Sequence, residues 1–167
     1  MSDLSKYTNY KTILSVNALI WCRGKVLLQK RAKDKKVDPG VYSGIGGKVE
    51  PHESFSYALI REIKEETGLT EFEKIRPFSV TQHPYPPTDS EWINIYFIVN
   101  INKQVNIKPT KDGTFDWIDP KEINKVPMVT DLKEYIKILV KTPDAFFLGF
   151  FDNDKQGNLI SKIIHIL

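Results

Sequence analysis

The sequence predicts a layered α/β or α+β fold, in which a β-sheet packs against helices. Apolar stretches rich in Ile, Val and aromatic residues recur along the chain between turn residues, which is typical of strands. One early and one late segment instead repeat their apolar residues at helical spacing. With 167 residues, 41% hydrophobic and 27% charged, the chain is predicted to form a single domain over residues 1–167.

Two strands and a loop are predicted ahead of the first helix. Residues 12–22 are rich in Ile, Leu, Val and Trp, and residues 25–31 form a second apolar run. Arg23 and Gly24 between them have the composition of a tight turn. Residues 32–40 are mostly charged and end in Pro-Gly, which predicts a loop.

The second half of the chain is predicted to add strands, a helix and a terminal hairpin. Residues 83–90 contain three prolines, and this segment is predicted to be an irregular loop because proline removes a backbone donor. Two apolar runs separated by DNDKQGN predict a hairpin extension over residues 145–167. The other predicted elements are strands over residues 73–82, 92–100 and 114–119, a helical turn from Pro120 and a helix over Thr130–Lys141.

The most informative stretch is GKVEPHESFSYALIREIKEETGL, which begins at Gly47 and ends at Leu69. Glu53 or Ser54 can begin a helix here, and Gly68 can end it. An ordinary solvated acidic helix is the alternative, but such a helix does not require both glycines, the arginine and four glutamates at these offsets. The nine positions that define the pattern are Gly47, Glu53, Arg61, Glu62, Ile63, Glu65, Glu66, Gly68 and Leu69.

The glutamates of this helix predict a divalent metal site. Glu62 and Glu66 fall on one helical stripe, and Glu65 lies beside it. Like charges at these spacings repel by roughly 0.2–0.5 kcal/mol per pair on an exposed helix, so a compensating charge is expected. Mg²⁺ prefers oxygen ligands and binds carboxylates together with substrate phosphates, and Mn²⁺ is the alternative. The carbonyl of Gly46 is a further candidate ligand, because glycine lets the backbone approach closely.

The nine positions match the signature of the Nudix hydrolases, which the sequence resembles. The resemblance implies a mixed central sheet between helices, and hydrolysis of diphosphate linkages in nucleotides with a divalent metal. On a helix, Arg61 is placed to pair with Glu65 four positions later. The metal ligands implied are the carbonyl of Gly46 and the side chains of Glu62, Glu65 and Glu66. The catalytic residues implied are Glu53, Arg61, Glu62 and Glu65, with Glu62 as the first choice of general base.

The approach to the motif, PGVYSGIGGKVEPHES, resembles the MutT-type branch, which hydrolyses nucleoside triphosphates including 8-oxo-dGTP. The substrate-binding residues implied by this resemblance are Lys30, Arg31, Ser43, Asp112, Met128 and Asp131. Lys30 and Arg31 have a simpler alternative as solvated charges at a strand end. Asp112 can belong to an Asp-Gly turn, and Asp131 can be an acid that stabilises the first turn of its own helix.

Two alternatives to a triphosphate hydrolase remain open. A Nudix pyrophosphatase for ADP-ribose or dinucleoside polyphosphates would share the motif, and Pro84 and Tyr85 stand where other branches carry selectivity residues. A non-catalytic nucleotide-sensing Nudix domain would share the fold. Loss of a motif glutamate would support the sensor, and none is lost.

Composition limits the partners. The net charge of +3 fits a small anionic nucleotide and is too weak to indicate nucleic-acid binding. The single cysteine, Cys22, is predicted to be a buried thiol. The sequence shows no signal pattern and no apolar run of transmembrane length, so we expect a cytoplasmic monomer or homodimer without a membrane partner. His52 and His83 are predicted to be exposed loop residues and His165 to lie on a strand, without metal-ligand spacing.

Overall fold

In the computed structural model of the protein, the described residues are 9–35, 38–156 and 158–167. Part of the predicted charged loop and one residue of the predicted hairpin turn lie outside them. Within the described residues, nine strands form one mixed sheet and two α-helices pack on it. The strands are β1 (Lys11–Cys22), β2 (Lys25–Arg31), β3 (Tyr42–Ser43), β4 (Ile45–Lys48), β5 (Lys74–Tyr85), β6 (Ser90–Asn100), β7 (Gly113–Ile118), β8 (Phe147–Asn153) and β9 (Leu159–Ile166), and the helices are α1 (Phe55–Thr67) and α2 (Thr130–Lys141).

The sheet has the strand order β3-β2-β1-β6-β5-β8-β9, with β4 paired to β1 and β7 paired to β2. The β1–β6 and β5–β8 pairs are parallel, and the other pairs are antiparallel. β1 and β2 pair only near their turn, where Ile20 lies opposite Leu27. Farther along, β1 pairs with β4 and β2 pairs with β3. This divergence brings the backbone just ahead of α1 into the sheet.

Each helix covers one face of the sheet. Alternating residues of β1 belong to two separate core clusters, because successive side chains of a strand point to opposite faces. Leu59 and Ile63 of α1 pack with Val16 in one cluster. Tyr135 of α2 packs with Leu19 in the other. The predicted mixed sheet between helices is confirmed.

The predicted proline-rich loop is much shorter than expected. β5 continues through His83, Pro84 and Tyr85, and only residues 86–89 leave the strands before β6. The carbonyl of Pro84 accepts a hydrogen bond from Asn153 Nδ2 at 3.0 Å, so the polar backbone edge of Pro84 points away from β6. The missing amide of this proline therefore removes no bond of the β5–β6 ladder, and the strand tolerates it.

The predicted hairpin is present as β8 and β9, and its two strands differ in burial. Phe147 and Phe151 of β8 are among the largest fully buried side chains. In contrast, the residues of β9 are exposed except for the partly buried Ile164. β8 is thus part of the α2-side core, whereas β9 is an outer strand.

Two composition-based expectations concern the rest of the fold. Cys22 is 3% exposed and packs in the α1-side cluster, which confirms the predicted buried thiol. No helix in the described part of the chain has the length and apolar character needed to cross a membrane.

Candidate active site

The motif helix begins and ends at residues that the sequence indicates. Ser54 caps its N-terminus, with Oγ accepting a hydrogen bond from the amide of Tyr57 at 3.2 Å. Gly68 ends it in the left-handed conformation at φ 75°, and its amide donates to the carbonyl of Lys64 at 2.9 Å. Phe55, the first residue of the helix, is 42% exposed.

Arg61 joins the loop ahead of the helix to the helix itself. Its Nε and Nη2 donate to the two oxygens of Glu53 at 2.8 and 2.9 Å, a bidentate pair. Nη2 also donates to the carbonyl of Lys48 at 3.1 Å. Nη1 donates to Glu62 at 2.7 Å, whereas the Glu65 pair predicted from helical spacing is longer, at 3.4 Å. Arg61 therefore holds the motif loop and the first motif glutamate in one network.

Glu53 is an ionised acceptor in this network rather than the helix cap. Hydrogen bonds from Arg61, and then from the amide of Glu50 at 3.0 Å, lower the pKa of Glu53 to about 2. The carboxylate therefore stays charged over the whole neutral range. Its role in the structure is to orient Arg61.

The two glycines before the helix are required for different reasons. A Cβ on Gly46 would collide with the backbone of Val16 and lie 2.9 Å from Asn17 Cα. A Cβ on Gly47 would lie 2.6 Å from the carboxyl carbon of Glu62. The first glycine thus lets β4 approach β1, and the second leaves room for a carboxylate against the backbone.

Glu66 is a buried carboxyl with an unmet hydrogen-bonding requirement. Its Oε2 is buried and has no hydrogen-bond partner among the described residues. Burial first, and then the charges of Glu62 and Asp112, raise the pKa of Glu66 to about 8. A hydrogen bond from the backbone of Gly46 and the charge of Arg31 act in the opposite direction. The negative charges of Glu62 and Asp112 therefore act on a carboxyl group that water solvates poorly.

The chemistry of these residues fits a hard divalent cation. Such a cation would give Glu66 Oε2 a partner and offset the repulsion from Glu62. Glu65 is 59% exposed, and Glu62 points toward Arg61. Within the described part of the chain, no three Asp, Glu, His or Cys side chains are close enough together to hold a metal ion. The side chains of Glu62 and Glu65 would have to turn toward Glu66.

Lys30 and Arg31 point to opposite faces of β2. Arg31 acts electrostatically on Glu66 on the α1 side. The ammonium of Lys30 lies 5.7 Å from the ring centre of Tyr42 on the α2 side. Asp112 forms an ion pair with Lys35, and its amide donates to Thr110 Oγ1 at 3.2 Å in a turn. Asp112 thus belongs to a turn and also lies close enough to influence Glu66.

Asp131 is a largely buried acid at the beginning of α2, with its side chain 15% exposed. One carboxylate oxygen accepts from the amide of Leu132 at 2.8 Å, and the other from the hydroxyl of Tyr135 at 3.4 Å. Burial is the main cause that raises the pKa of Asp131 to about 6. The first-turn position matches the helix-stabilising alternative. Its burial among polar groups is also suited to recognition of a ligand.

Met128 and Ser43 do not share a face. Met128 forms a parallel bridge with Tyr42, and both side chains pack in the α2-side cluster with Leu132. Ser43 follows Tyr42 on β3, so strand alternation directs its side chain to the other face. Its Oγ is buried without a hydrogen-bond partner among the described residues. Ser43 therefore lies on a different face from Met128, and its role in substrate binding stays a prediction.

Sequence reasoning missed several polar residues beneath Asp131. His83 was expected to be an exposed loop residue, but its side chain is 18% exposed on β5. Its Nε2 shares a hydrogen bond with Thr81 Oγ1 at 3.0 Å and lies 3.8 Å from Asp131. Burial lowers the pKa of His83 to about 4, so this contact is not an ion pair at neutral pH.

A short polar row on β1 and β6 was also missed. Ser15 Oγ donates to Asn94, and Asn17 Nδ2 donates to Ser15 Oγ at 3.3 Å. Asn17 lies opposite Tyr96, whose pKa is raised by burial and by Asp131. The signal available in the sequence was two polar residues, two positions apart, within the otherwise apolar run ILSVNALIWC.

Known proteins share this sequence pattern and fold. The family model of the NUDIX domain matches residues 11–139, which extend from β1 into the last turn of α2. The chain belongs to the Nudix hydrolase family. The nucleoside triphosphatase NudI of Escherichia fergusonii is 36% identical to this hydrolase over 114 residues, which are 63% of this chain and 80% of NudI.

Two further relatives are similar over more of the hydrolase. YvcI of Bacillus subtilis, an uncharacterized Nudix hydrolase, is 27% identical over 149 residues, or 87% of this chain and 89% of YvcI. The crystal structure of a MutT protein from Bacillus halodurans superimposes with a TM-score of 0.77 at 22% identity, and covers 91% of this chain and 97% of that one. The resemblance seen in the motif is thus confirmed for fold and for hydrolase activity.

Proposed function

We propose that this hydrolase cleaves the diphosphate linkage of a nucleoside triphosphate, releasing a nucleoside monophosphate and pyrophosphate, with Mg²⁺ as cofactor and Mn²⁺ as a substitute. The observation that carries the proposal is the buried oxygen of Glu66, which has no hydrogen-bond partner among the described residues and lies within the electrostatic influence of Glu62. The name of NudI, a nucleoside triphosphatase, supports the substrate class. Within that class we propose 8-oxo-dGTP as the substrate.

Glu62, Glu65, Glu66 and the carbonyl of Gly46 are the groups that would hold the cation. When bound, a divalent cation neutralises phosphate oxygens and makes water a better nucleophile. Arg61 donates to one oxygen of Glu62 and is itself fixed by Glu53, so it would hold that oxygen while the other oxygen of Glu62 turns toward the cation. We propose Glu62 as the group that takes the proton of the attacking water, with Glu65 as the alternative.

The remaining charges around the motif would bind the rest of the nucleotide. Arg31 lies on the same side as Glu66 and would contribute positive charge for the triphosphate. Asp131 would accept hydrogen bonds from the edge of the base, on the α2 side of the sheet. Lys30 and Met128 lie on that side as well. The triphosphate would then lie on the α1 side of β2, and the base on the α2 side.

Product analysis with a nucleotide panel tests the proposal. The hydrolase is incubated with Mg²⁺ and 8-oxo-dGTP, dGTP, dATP or ADP-ribose, and the products are separated by ion-exchange chromatography. We expect a monophosphate and pyrophosphate in equal amounts, with the highest kcat/KM for 8-oxo-dGTP. Preferred cleavage of ADP-ribose would favour the pyrophosphatase alternative. Nucleotide binding without any product would favour the sensor.

A further inference from the structure

β9 has a side that no strand of the described chain covers. It is the last strand in the sheet order and pairs only with β8. Natural sheets protect such edges with charged residues, prolines, bulges or a covering segment, because an open edge pairs readily with another strand. β9 is eight residues long, LISKIIHI, contains no proline, and pairs regularly from Ser161 to Ile166, with one register irregularity between Leu159 and Ser161. Its one lysine, Lys162, lies 3.6 Å from Glu134 on α2.

The side chains of the hairpin are unusually apolar for an exposed surface. Six of the exposed large hydrophobic residues lie on β8 or β9 or directly after them, and their exposed fractions run from 42% to 75%. They are Leu148, Leu159, Ile160, Ile163, Ile166 and Leu167. Both faces of β9 contribute to this set, so an added strand along the edge would contact residues of both faces.

The exposed apolar area of the hairpin limits the size of an interface at this edge. The six side chains leave exposed the equivalent of about three whole aliphatic residues, on the order of 500 Å². The open backbone edge and the polar side chains beside it would add to this area. A standard interface buries about 800 Å² on each partner, so pairing along this edge would give a smaller interface, of the size found in weak, concentration-dependent dimers.

The direction of the β9 amides restricts how two copies can pair. The amide of Leu167 donates to the carbonyl of Phe146, on the β8 side. Bonds of an antiparallel ladder alternate, so the amides of Ile163 and His165 also point toward β8. Those of Lys162 and Ile164 point to the open edge. In a symmetric antiparallel pair, a residue whose amide points to the open edge must lie opposite a residue of the other copy whose amide also points to the open edge.

This restriction leaves two registers near the centre of the strand. One places Lys162 opposite its own copy, which sets like charges against each other. The other places Ile163 opposite its own copy, with Lys162 opposite Ile164. The second register has apolar contacts and no opposed like charges. Self-pairing is therefore compatible with both the hydrogen bonds and the charges of β9.

We propose that two copies of this hydrolase associate through antiparallel pairing of β9, about a two-fold axis at Ile163. The two sheets then form one continuous sheet, and the exposed aliphatic residues of the two β9 strands contact one another along the shared edge. The motif helix α1 contacts β1 and β4, and three strands, β6, β5 and β8, separate β1 from β9 in the sheet. Each copy therefore keeps its own active site.

The first test is the mass of the protein in solution, measured by light scattering coupled to size exclusion over a dilution series. We expect twice the 19.3 kDa chain mass for the wild type. Ile163→Lys places two ammonium groups together at the axis, and we expect the single-chain mass. Val140→Lys is the matched control, because Val140 is 55% exposed and Ile163 52%, and this variant should remain dimeric. Circular dichroism melting establishes that both variants are folded.

The second test is the register. Residues opposite each other in a non-hydrogen-bonded pair have Cα atoms about 4.5 Å apart, within the range of a disulfide. Oxidised glutathione should therefore link two copies of Ile163→Cys, with reduced glutathione released, and should not link Ser161→Cys. A single-chain mass for the wild type, or a dimeric Ile163→Lys, would overturn the proposal. Equal cross-linking of both cysteine variants would overturn the register.

Discussion

The imidazole ring of His83 lies flat on the ring of Phe151, with centroids 4.7 Å apart and planes 5° apart. This contact joins β5 to β8, and thereby joins the hairpin to the strand that lies beneath Asp131. Phe151 also meets Tyr135 of α2 edge-on, with centroids 6.0 Å apart. The first strand of the hairpin is therefore connected to the region that we assign to base recognition.

Removal of the Phe151 ring should destabilise the folded protein strongly. Phe151 is 2% exposed, and we expect Phe151→Ala to lower the free energy of unfolding by about 3–5 kcal/mol in urea titrations. Leu148→Ala on the same strand is the control, because Leu148 is 43% exposed and should cost far less. Deletion of residues 145–167 should cause aggregation, since it exposes the α2-side core. Equal stability of the two alanine variants would show that the hairpin is an appendage.

Alanine at the two motif glycines should have different effects. Gly46→Ala sets a methyl group against the backbone of Val16, which cannot move away, so we expect a lower melting temperature and poor expression. Gly47→Ala meets the end of the Glu62 side chain, which can turn aside. We therefore expect a near-normal melting temperature and a large loss of kcat for Gly47→Ala. The same activity for Gly47→Ala and the wild type would remove Glu62 from the catalytic group.

Titration of Glu66 should change the free energy of unfolding of the substrate-free protein. The folded protein keeps the Glu66 proton until pH about 8, whereas the unfolded chain loses it near 4.5. The folded state thus binds more protons between these values, and this group makes the free energy of unfolding fall as pH rises. We expect that fall to be smaller in Glu66→Gln when melting is measured in chelator.

Added Mg²⁺ should reverse this loss in the wild type. At pH 8 we expect Mg²⁺ to raise the melting temperature of the wild type and to leave Glu66→Gln unchanged. Glu122→Gln is the control, since Glu122 is 48% exposed and lies in a separate surface pair with Lys125. A wild-type melting temperature that is insensitive to Mg²⁺ would contradict a metal site at Glu66.

Base recognition by Asp131 should depend on pH. The pKa of Asp131 is about 6, so both carboxylate oxygens accept hydrogen bonds above this pH, and below it one of them becomes a hydroxyl donor. Both substrates carry a triphosphate that titrates in the same way, so this titration cancels when the KM for dATP is divided by the KM for 8-oxo-dGTP. We expect this ratio to fall by about tenfold below pH 6, on the scale of ~1–3 kcal/mol for an unpaired buried group.

Asp131→Asn should remove the pH dependence of this ratio while leaving kcat nearly unchanged. If Asp131 only stabilises its own helix, the variant should affect both substrates alike through the melting temperature. An unchanged substrate ranking over the whole pH range would remove Asp131 from the substrate site.

Local patterns in the sequence predicted the parts of the fold that depend on local spacing. The helical offsets of the motif predicted α1 together with Gly68 as its end, because capping and helical periodicity are properties of neighbouring residues. The predicted Arg61–Glu65 pair exists for the same reason. Helical spacing alone did not indicate that Glu53, in the preceding loop, is the stronger partner of Arg61.

Errors arose where tertiary contacts decide the outcome. His83 and Pro84 looked like loop residues because of the neighbouring prolines, but pairing with β6 and the Asn153 contact extend β5 through both. The resemblance placed Ser43 and Met128 in one substrate-binding set, without regard to the faces of the sheet. A strand of two residues reverses the side-chain direction at each step, and the face of Ser43 depends on the pairing of β3 with β2.

The central claim is that the motif glutamates catalyse Mg²⁺-dependent hydrolysis of a nucleoside triphosphate. Its most direct test is pyrophosphate release from 8-oxo-dGTP and dGTP at saturating substrate, with Mg²⁺ or with excess chelator. We expect Glu65→Gln, Glu66→Gln and chelator each to reduce kcat by orders of magnitude, and Glu122→Gln to retain wild-type kcat. Full activity of either motif variant with Mg²⁺, or of the wild type in chelator, would contradict the claim.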